Sequence, residues 1–306
     1  MAETRPGLSA PGRVPERAPL GRVQTIGGLV DEIAHRLRAY DDPTHEAREL
    51  VAALLDVPRH WPILRANKWV EAVIWQRACA AADQRASGAP LAYAVGRANF
   101  RTLTLDVDQR VLIPRPETEL LVDFVLERSA RGGIAVDVGT GSGAIAIAIA
   151  TEGRFDRVVA TDISSDALDV ARANARRYGA QIDFFEGSLL KGADAGVGRR
   201  LAVVVSNPPY IAFGDIEALP TSVRNWEPAV ALFTGRDGLA LTARLVRQAA
   251  TRLAPGGLLA LEVDARRASL VAELVSSDAR YECVGVRLDL SGRERFVLAT
   301  RRCNDD

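Results

Sequence analysis

The sequence predicts an α/β chain: an open sheet of seven strands, a small helical region before it and a β-hairpin connector between the two. Three observations lead there. From Gly133 onward, short apolar runs alternate with segments of helical period. Two of the runs end in motifs suited to a strand's carboxyl end. One is Val136-Asp137-Val138-Gly139-Thr140-Gly141-Ser142-Gly143; the other is Leu201-Ala-Val-Val-Val205 followed by Ser206-Asn207-Pro208-Pro209-Tyr210. Upstream, residues 25 to 88 carry apolar side chains at helical spacing.

Leu29, Ile33 and Leu37 share one helix face. Asp42-Pro43-Thr44 reads as a helix entry with proline in the first turn, and Ala47, Leu50, Val51, Leu54 and Leu55 form its apolar stripe. A further helix is expected from Lys68 to Ala86 on Val70, Val73, Ile74 and Ala78, ended by Ser87-Gly88-Ala89-Pro90. Phe100, Leu103, Leu105, Val107 and Val111 to Ile113 point to a short hairpin or extended connector. Pro116 suits the entry of a helix with a core face of Leu120, Leu121, Phe124 and Val125. Strands are then expected at 134–138, 157–161, 182–186, 201–205, 258–263, 281–288 and 295–300, with helices at 144–150, 166–178 and 240–253. Pro255-Gly256-Gly257 reads as a turn, and residues 211–237 as a long insertion directly after the tetrapeptide. The expected limits are a disordered tail at 1–23, a helical domain at 24–89, a hairpin connector at 90–114 and a Rossmann-like domain at 115–302.

The chain has 306 residues, 48% of them apolar, enough for one large or two modest domains with a sizeable core. Lys+Arg and Asp+Glu are both 39, so the net charge gives no bulk drive toward nucleic acid, and no nucleic-acid partner is expected. Cys79, Cys283 and Cys303 form no CxxC pair and no even framework, which fits a reducing compartment; a cytoplasmic location is expected. His35, His45 and His60 share no ligand spacing with cysteines or carboxylates, so no metal is expected. No apolar run is long enough to span a bilayer, and no membrane partner is expected. The first 23 residues are rich in Pro, Arg, Ala and Gly and lack the apolar centre of a secretory signal. A monomer is expected.

Gly139, Gly141 and Gly143 lie between a strand and a helix, where glycine allows a tight turn and close approach of a ligand to backbone. The third glycine comes one residue early for G-x-G-x-x-G, although Ala144 permits the relaxed form. The turn alone therefore leaves a dinucleotide and S-adenosyl-L-methionine both open. Asp162 ends the second strand, where a carboxylate can accept hydrogen bonds from both ribose hydroxyls of an adenosine. It could instead cap the next helix, but Ser165 and Asp166 suit that task themselves. Asp137, flanked by valines, needs donors if it is buried; the amides of the glycine turn or the amino group of a bound amino-acid moiety would supply them.

Two prolines directly after a strand stop the ladder and stiffen the exit. They hold Asn207 at the carboxyl end, where open α/β sheets place ligands. Read alone, the tetrapeptide could be a plain turn. After a glycine turn and a ribose acid, it points to methyl transfer onto a planar amide or amine nitrogen, a group for which a nicotinamide enzyme has no need. An amide lone pair is delocalised into its carbonyl, and no side chain at neutral pH is basic enough to remove the amide proton. Positioning is the available device. The Asn207 side-chain oxygen and the Pro208 carbonyl can each accept one N–H of the substrate, while Tyr210 offers a ring to pack on the planar group.

These residues resemble the class I methyltransferases that modify amide or exocyclic amine nitrogens. The finer resemblance is to the peptide chain release factor glutamine N5-methyltransferases. It rests on Pro90-Leu91-x-Tyr93-x-x-Gly96-x-x-x-Phe100, on Leu112-Ile113-Pro114-Arg115-Pro116-Glu117-Thr118-Glu119, and on Glu227-Pro228-x-x-Ala231-Leu232 with Gly235-x-Asp237-Gly238-Leu239. The resemblance implies an N-terminal domain that recognises the substrate, a release factor whose Gly-Gly-Gln loop is methylated. It implies a cofactor set of Asp137, Gly139, Thr140, Gly141, Ser142, Gly143, Asp162, Ile163, Leu189 and Asn207. It also implies a glutamine pocket of Asn207, Pro208, Pro209 and Tyr210, with Arg115 as a further substrate contact; Asn207, Pro208 and Tyr210 carry catalysis. Three features depart from the family pattern. Ser188 and Leu189 stand where an acid and an aromatic are usual, Val263 follows Glu262 where glycine is common, and the tail before residue 24 is additional. The alternatives are methylation of DNA adenine or ribosomal RNA guanine, which share the tetrapeptide, or a non-enzymatic binding module. For Arg115 the alternative is a surface ion pair with Glu117 or Glu119.

Overall fold

The computed structural model describes residues 24–129, 132–193, 200–211, 213–233 and 239–303. The tail expected at 1–23 and the Gly235 to Gly238 part of the third family motif lie outside the described residues. Two compact units divide at Cys79/Ala80, inside a helix, ten residues before the expected boundary at 89.

In the first unit, α1 (Ile26–Arg36) is capped by Thr25, whose hydroxyl accepts the Gly28 amide at 3.2 Å. Helix α2 (Pro43–Leu55) is capped by Asp42 and has proline at its first position, as the sequence predicts. Leu29, Ile33 and Leu37 bury against this pair together with Leu50, Val51 and Leu54. A single turn, α3 (Trp61–Leu64), follows. Helix α4 spans Ala72–Ala86 and not Lys68–Ala86. The residues before it are held extended by backbone bonds to the start of α1: Ile26 N–H to Lys68 O at 2.9 Å and Val70 N–H to Gln24 O at 2.7 Å. Val73, expected on the core face, is exposed.

The second unit opens with α5 (Leu91–Val95), which the apolar spacing of residues 90–113 did not reveal. The hairpin of β1 (Arg97–Phe100) and β2 (Leu103–Asp106) follows, antiparallel. It is pinned to a later helix, Ser165–Tyr178. Tyr178 Oη accepts the Thr104 amide at 2.6 Å and donates to the Thr104 carbonyl, and Asn174 Oδ1 accepts the Asp106 amide at 2.8 Å. After α6 (Thr118–Ser129) the alternation begins: β3 (Ile134–Val138), α7 (Ala144–Glu152), β4 (Arg157–Asp162), α8 (Ser165–Tyr178), β5 (Ile182–Glu186) and β6 (Leu201–Ser206). Short helices α9 (Thr221–Trp226) and α10 (Ala229–Leu232) lie in the insertion. Then come α11 (Ala240–Arg252), β7 (Leu253–Glu262), α12 (Ala268–Ser276), β8 (Tyr281–Leu288) and β9 (Glu294–Arg301).

Seven strands form one sheet in the order β5-β4-β3-β6-β7-β9-β8, with β8 and β9 antiparallel to their neighbours and the rest parallel. The apolar runs are continuous because both faces are covered. Val136, Val138, Val204 and Leu259 pack toward α11 and α12, while Ala135, Val203, Val205 and Ala260 pack toward α6 and α7. Pro255 to Gly257, expected as a turn before the strand, sit inside β7 as an irregularity where its register on β6 shifts. The chain runs outward through β3, β4 and β5 and then crosses back to β6, so the β3/β6 boundary is the sheet's topological switch point.

Candidate active site

Register fixes the site. Val138 pairs with Thr161 on β4 and with Ser206 on β6, and Ser206 pairs with Leu261 on β7. The next residue of each strand therefore stands in one row at the carboxyl edge: Asp162, Gly139, Asn207, Glu262. The Ser206 hydroxyl donates to the Val138 carbonyl at 2.7 Å and ties the two central exits together.

Two cavities open on this row among the described residues. The first, about 270 Å³, is lined by Gly139, Gly141, Asp162, Ile163 and Leu189. The second, about 460 Å³, is lined by Arg115, Tyr210, Asp215 and Arg295. Asn207, Pro208 and Pro209 line both and so form a shared wall.

The glycine turn divides by function. Gly139 (φ 75°) and Gly141 (φ 54°) have left-handed backbone, and a Cβ added to either would meet nothing within 4 Å. Gly143 (φ 85°) is different: its Cβ would stand 3.1 Å from Ile147 and 3.2 Å from Ala171. It serves helix packing and does not line the cavity. Nor do Thr140 and Ser142, which are buried. The Asp162 carboxylate lines the first cavity and is oriented by two amides, Gly141 at 2.9 Å and Ser164 at 3.0 Å. It is not the helix cap: the Ser164 hydroxyl accepts the Ala167 amide.

Asp137 lies behind the turn, fully buried and off the cavity lining. Its donors are the Thr140 hydroxyl at 2.6 Å and the Ala146 amide at 3.2 Å, not the turn glycines. Burial pushes its carboxyl up to about 7. Leu189 occupies left-handed backbone (φ 57°) and is nearly buried at the edge of the first cavity.

On the other side, Arg115 pairs with neither Glu117 nor Glu119. Its Nη2 donates to both oxygens of Glu227, at 2.7 and 2.8 Å, and the Glu227 side chain is 1% exposed. Burial raises the Glu227 carboxyl against the pull of Arg115. The insertion thus returns over the site. Ile211 bridges to Phe233, and Arg267 holds the Tyr210 carbonyl and Asp215. Burial, with the charge of Glu262, pushes the Tyr210 hydroxyl up to about 12, so it stays neutral across the working range.

Sequence reasoning missed Thr118 and Glu262. Asn207 Nδ2 donates to Thr118 Oγ1 at 3.2 Å, and Thr118 donates to Glu262 Oε2 at 2.7 Å. The available signal was a lone acid ending an apolar strand, the same signal that marked Asp162.

Two family models match the chain: the Methyltransferase small domain over residues 116–219 and the PrmC N-terminal domain over residues 29–96. The release factor glutamine methyltransferase of Deinococcus radiodurans is 40% identical over 262 residues, 85% of this chain and 91% of that protein. The protein of the same name from Moorella thermoacetica is 38% identical over 284 residues, 91% of this chain and 99% of that one. The hMettl16 catalytic domain in complex with the MAT2A 3'UTR hairpin 1 aligns with a TM-score of 0.54 at 18% identity, covering 74% of this chain and 82% of that one, a likeness of fold alone. With the row of strand-end residues, the paired cavities and relatives of this identity over nearly their whole length, the chain belongs to the release factor glutamine methyltransferase family, enzymes of the class I methyltransferase fold.

Proposed function

We propose that the chain methylates the side-chain amide nitrogen, N5, of the glutamine in the Gly-Gly-Gln loop of a peptide chain release factor, with S-adenosyl-L-methionine as methyl donor. The observation that carries this reading is the wall shared by the two cavities. The residues of the first cavity fit the donor: two glycines open to the space, a carboxylate aimed by backbone amides, and apolar flanks at Ile163 and Leu189. S-adenosyl-L-methionine bound there supplies an electrophilic methyl on a charged sulfur. Asp162 would hold the ribose hydroxyls, and Gly139 and Gly141 admit the ligand to the backbone. Asp137 shapes the turn from behind and is not a direct contact in this reading.

The second cavity takes the glutamine. Asn207 Oδ1 and the Pro208 carbonyl accept the two protons of its amide, and Tyr210 packs on its plane. As the new N–C bond forms and the methyl–sulfur bond breaks, leaving a neutral thioether, the nitrogen gains positive charge facing two carbonyl dipoles, which lowers the barrier, and one proton leaves to solvent. No side chain acts as a base. The helical region at 24–89 recognises the protein substrate, and the enzyme works as a monomer in the cytoplasm, without nucleic acid. Among the described residues no helix is long and apolar enough to cross a membrane.

Labelled donor incubated with a release factor, its Gly-Gly-Gln Gln→Ala variant and duplex DNA tests the reading. Label enters the first alone. Label in DNA, or equal label in the variant, overturns it.

The glycines give a second test. Gly143→Ala lowers stability by roughly 1–3 kcal/mol, because both backbone and packing object. Gly141→Ala shares the backbone strain but meets no packing clash; its methyl intrudes on the donor cavity, so donor affinity falls by about tenfold or more, on the order of 1.4 kcal/mol. Thermal melting and calorimetry separate the two outcomes.

A further inference from the structure

An asparagine amide can sit either way round, and only one way serves the reaction read above. The oxygen must face the acceptor cavity; the flipped form would set an NH₂ against the substrate's own NH₂. The selection is made behind Asn207. A hydroxyl has one proton, and Thr118 gives its proton to Glu262 Oε2 at 2.7 Å. Toward Asn207 it is then an acceptor only, and it takes Nδ2–H at 3.2 Å. The chain runs one way, from amide to hydroxyl to carboxylate. Among the described residues no donor reaches Asn207 Oδ1, so the oxygen is left for the cavities that Asn207 lines.

The parts are built in. Glu262 stands beside Asn207 at the end of the adjacent strand and is 1% exposed; Thr118, 4% exposed, begins α6. Nothing in the methyl-transfer chemistry needs a carboxylate at this depth, where its burial is costly. We propose that Thr118 and Glu262 are positioning residues, which fix the rotational state of the Asn207 amide and so aim its oxygen at the substrate nitrogen; this rests on the amide-methylation reading.

A proton on Glu262 would reverse the chain. The carboxyl would donate to Thr118, the hydroxyl proton would turn to Asn207, and the amide would be drawn round with its oxygen inward. Burial brings the Glu262 carboxyl up to about 7, against the opposing pull of the Thr118 hydrogen bond and Arg295. Glu117 and Arg115, just before α6, and Tyr210 beyond the prolines also face it. Turnover is therefore expected to fall as pH drops through about 7.

Thr118→Val keeps the shape and removes the acceptor. It is expected to lower kcat about a hundredfold with donor Kd near that of the parent, and to lower the melting temperature because buried Glu262 loses a donor, while Thr118→Ser restores the melting temperature and brings kcat to within about threefold. Glu262→Gln is expected to lose the acidic limb of the kcat profile. A readout independent of turnover is the ¹⁵N-resolved side-chain amide signal of Asn207 in the donor-free protein. One Nδ2 proton should lie downfield, titrate near pH 7 and return to the ordinary range in Thr118→Val. A kcat in Thr118→Val within about threefold of the parent, an acidic limb that persists in Glu262→Gln, or an Asn207 signal unchanged by Thr118→Val overturns the proposal. If release factor is not methylated at all, the function reading fails, and the amide signal still decides the hydrogen-bond chain.

Discussion

Asn207→Ala lowers kcat by about a thousandfold or more while the donor's Kd stays within about tenfold. The separation follows from where the side chain stands. The first cavity keeps Gly139, Gly141, Asp162, Ile163 and Leu189 when the Asn207 amide is removed, so the donor retains most of its contacts. The acceptor side loses one of its two oxygens aimed at the reacting nitrogen. Removing a single preorganised dipole of this kind costs ~10²–10³ in rate elsewhere, and here the nitrogen is also released from its alignment with the electrophile. Asn207→Asp makes the test sharper. It is nearly isosteric, so packing against the prolines survives. A carboxylate has no N–H for Thr118, however, and it sets a second acid beside buried Glu262. It should be as inactive as the alanine variant, although it keeps an oxygen in the cavity. Single-turnover transfer of label gives the rate and calorimetry the affinity; full turnover in Asn207→Ala removes the side chain from the mechanism.

The parallel sheet was legible because burial on both faces writes strands as unbroken apolar runs. Ile134–Val138 begins and ends where the apolar run does, and Arg157–Asp162 and Leu201–Ser206 each run one residue past it. Elements fixed by distant partners were less legible. Lys68 to Val70 have helical composition but are drawn straight by the amides and carbonyls at the start of α1. Leu91–Val95 is one short helical turn, too brief to show a period. The site divides in the same way. Asp162, Gly139, Gly141 and Asn207 each follow a strand, so local sequence places them at the carboxyl edge. Asp137 carried the same composition signal but points behind the turn, because side chains alternate along a strand and its neighbour Val138 faces the other way. Thr118 and Glu262 are 144 residues apart, and no spacing rule joins them before the sheet does.

Arg115→Ala is expected to destabilise the protein by about 2–4 kcal/mol, a larger loss than a surface ion pair could produce. The partner decides this. Glu227 is 1% exposed, and both its oxygens receive Nη2 of Arg115. Removing the guanidinium leaves a buried carboxylate with the Ile113 amide as a remaining donor, beside an apolar cluster in which the adjacent Trp226 packs with Tyr93, Val107 and Val111. The Arg115 side chain is itself 32% exposed, so water relieves part of the cost, which puts the loss toward the low end for buried pairs. Glu227→Gln should cost less, since it keeps the volume and removes the charge. The double variant Arg115→Met with Glu227→Met should recover most of the stability, because two apolar side chains can replace a buried pair without leaving a charge behind. Activity then reports the second role. Arg115 also lines the acceptor cavity, and only one of its nitrogens is taken by Glu227. In the refolded double variant KM for the release factor should rise severalfold with kcat kept. Chemical denaturation measures the first quantity and steady-state kinetics the second. Parent-like KM in the double variant would make Arg115 an anchor for the insertion and nothing more.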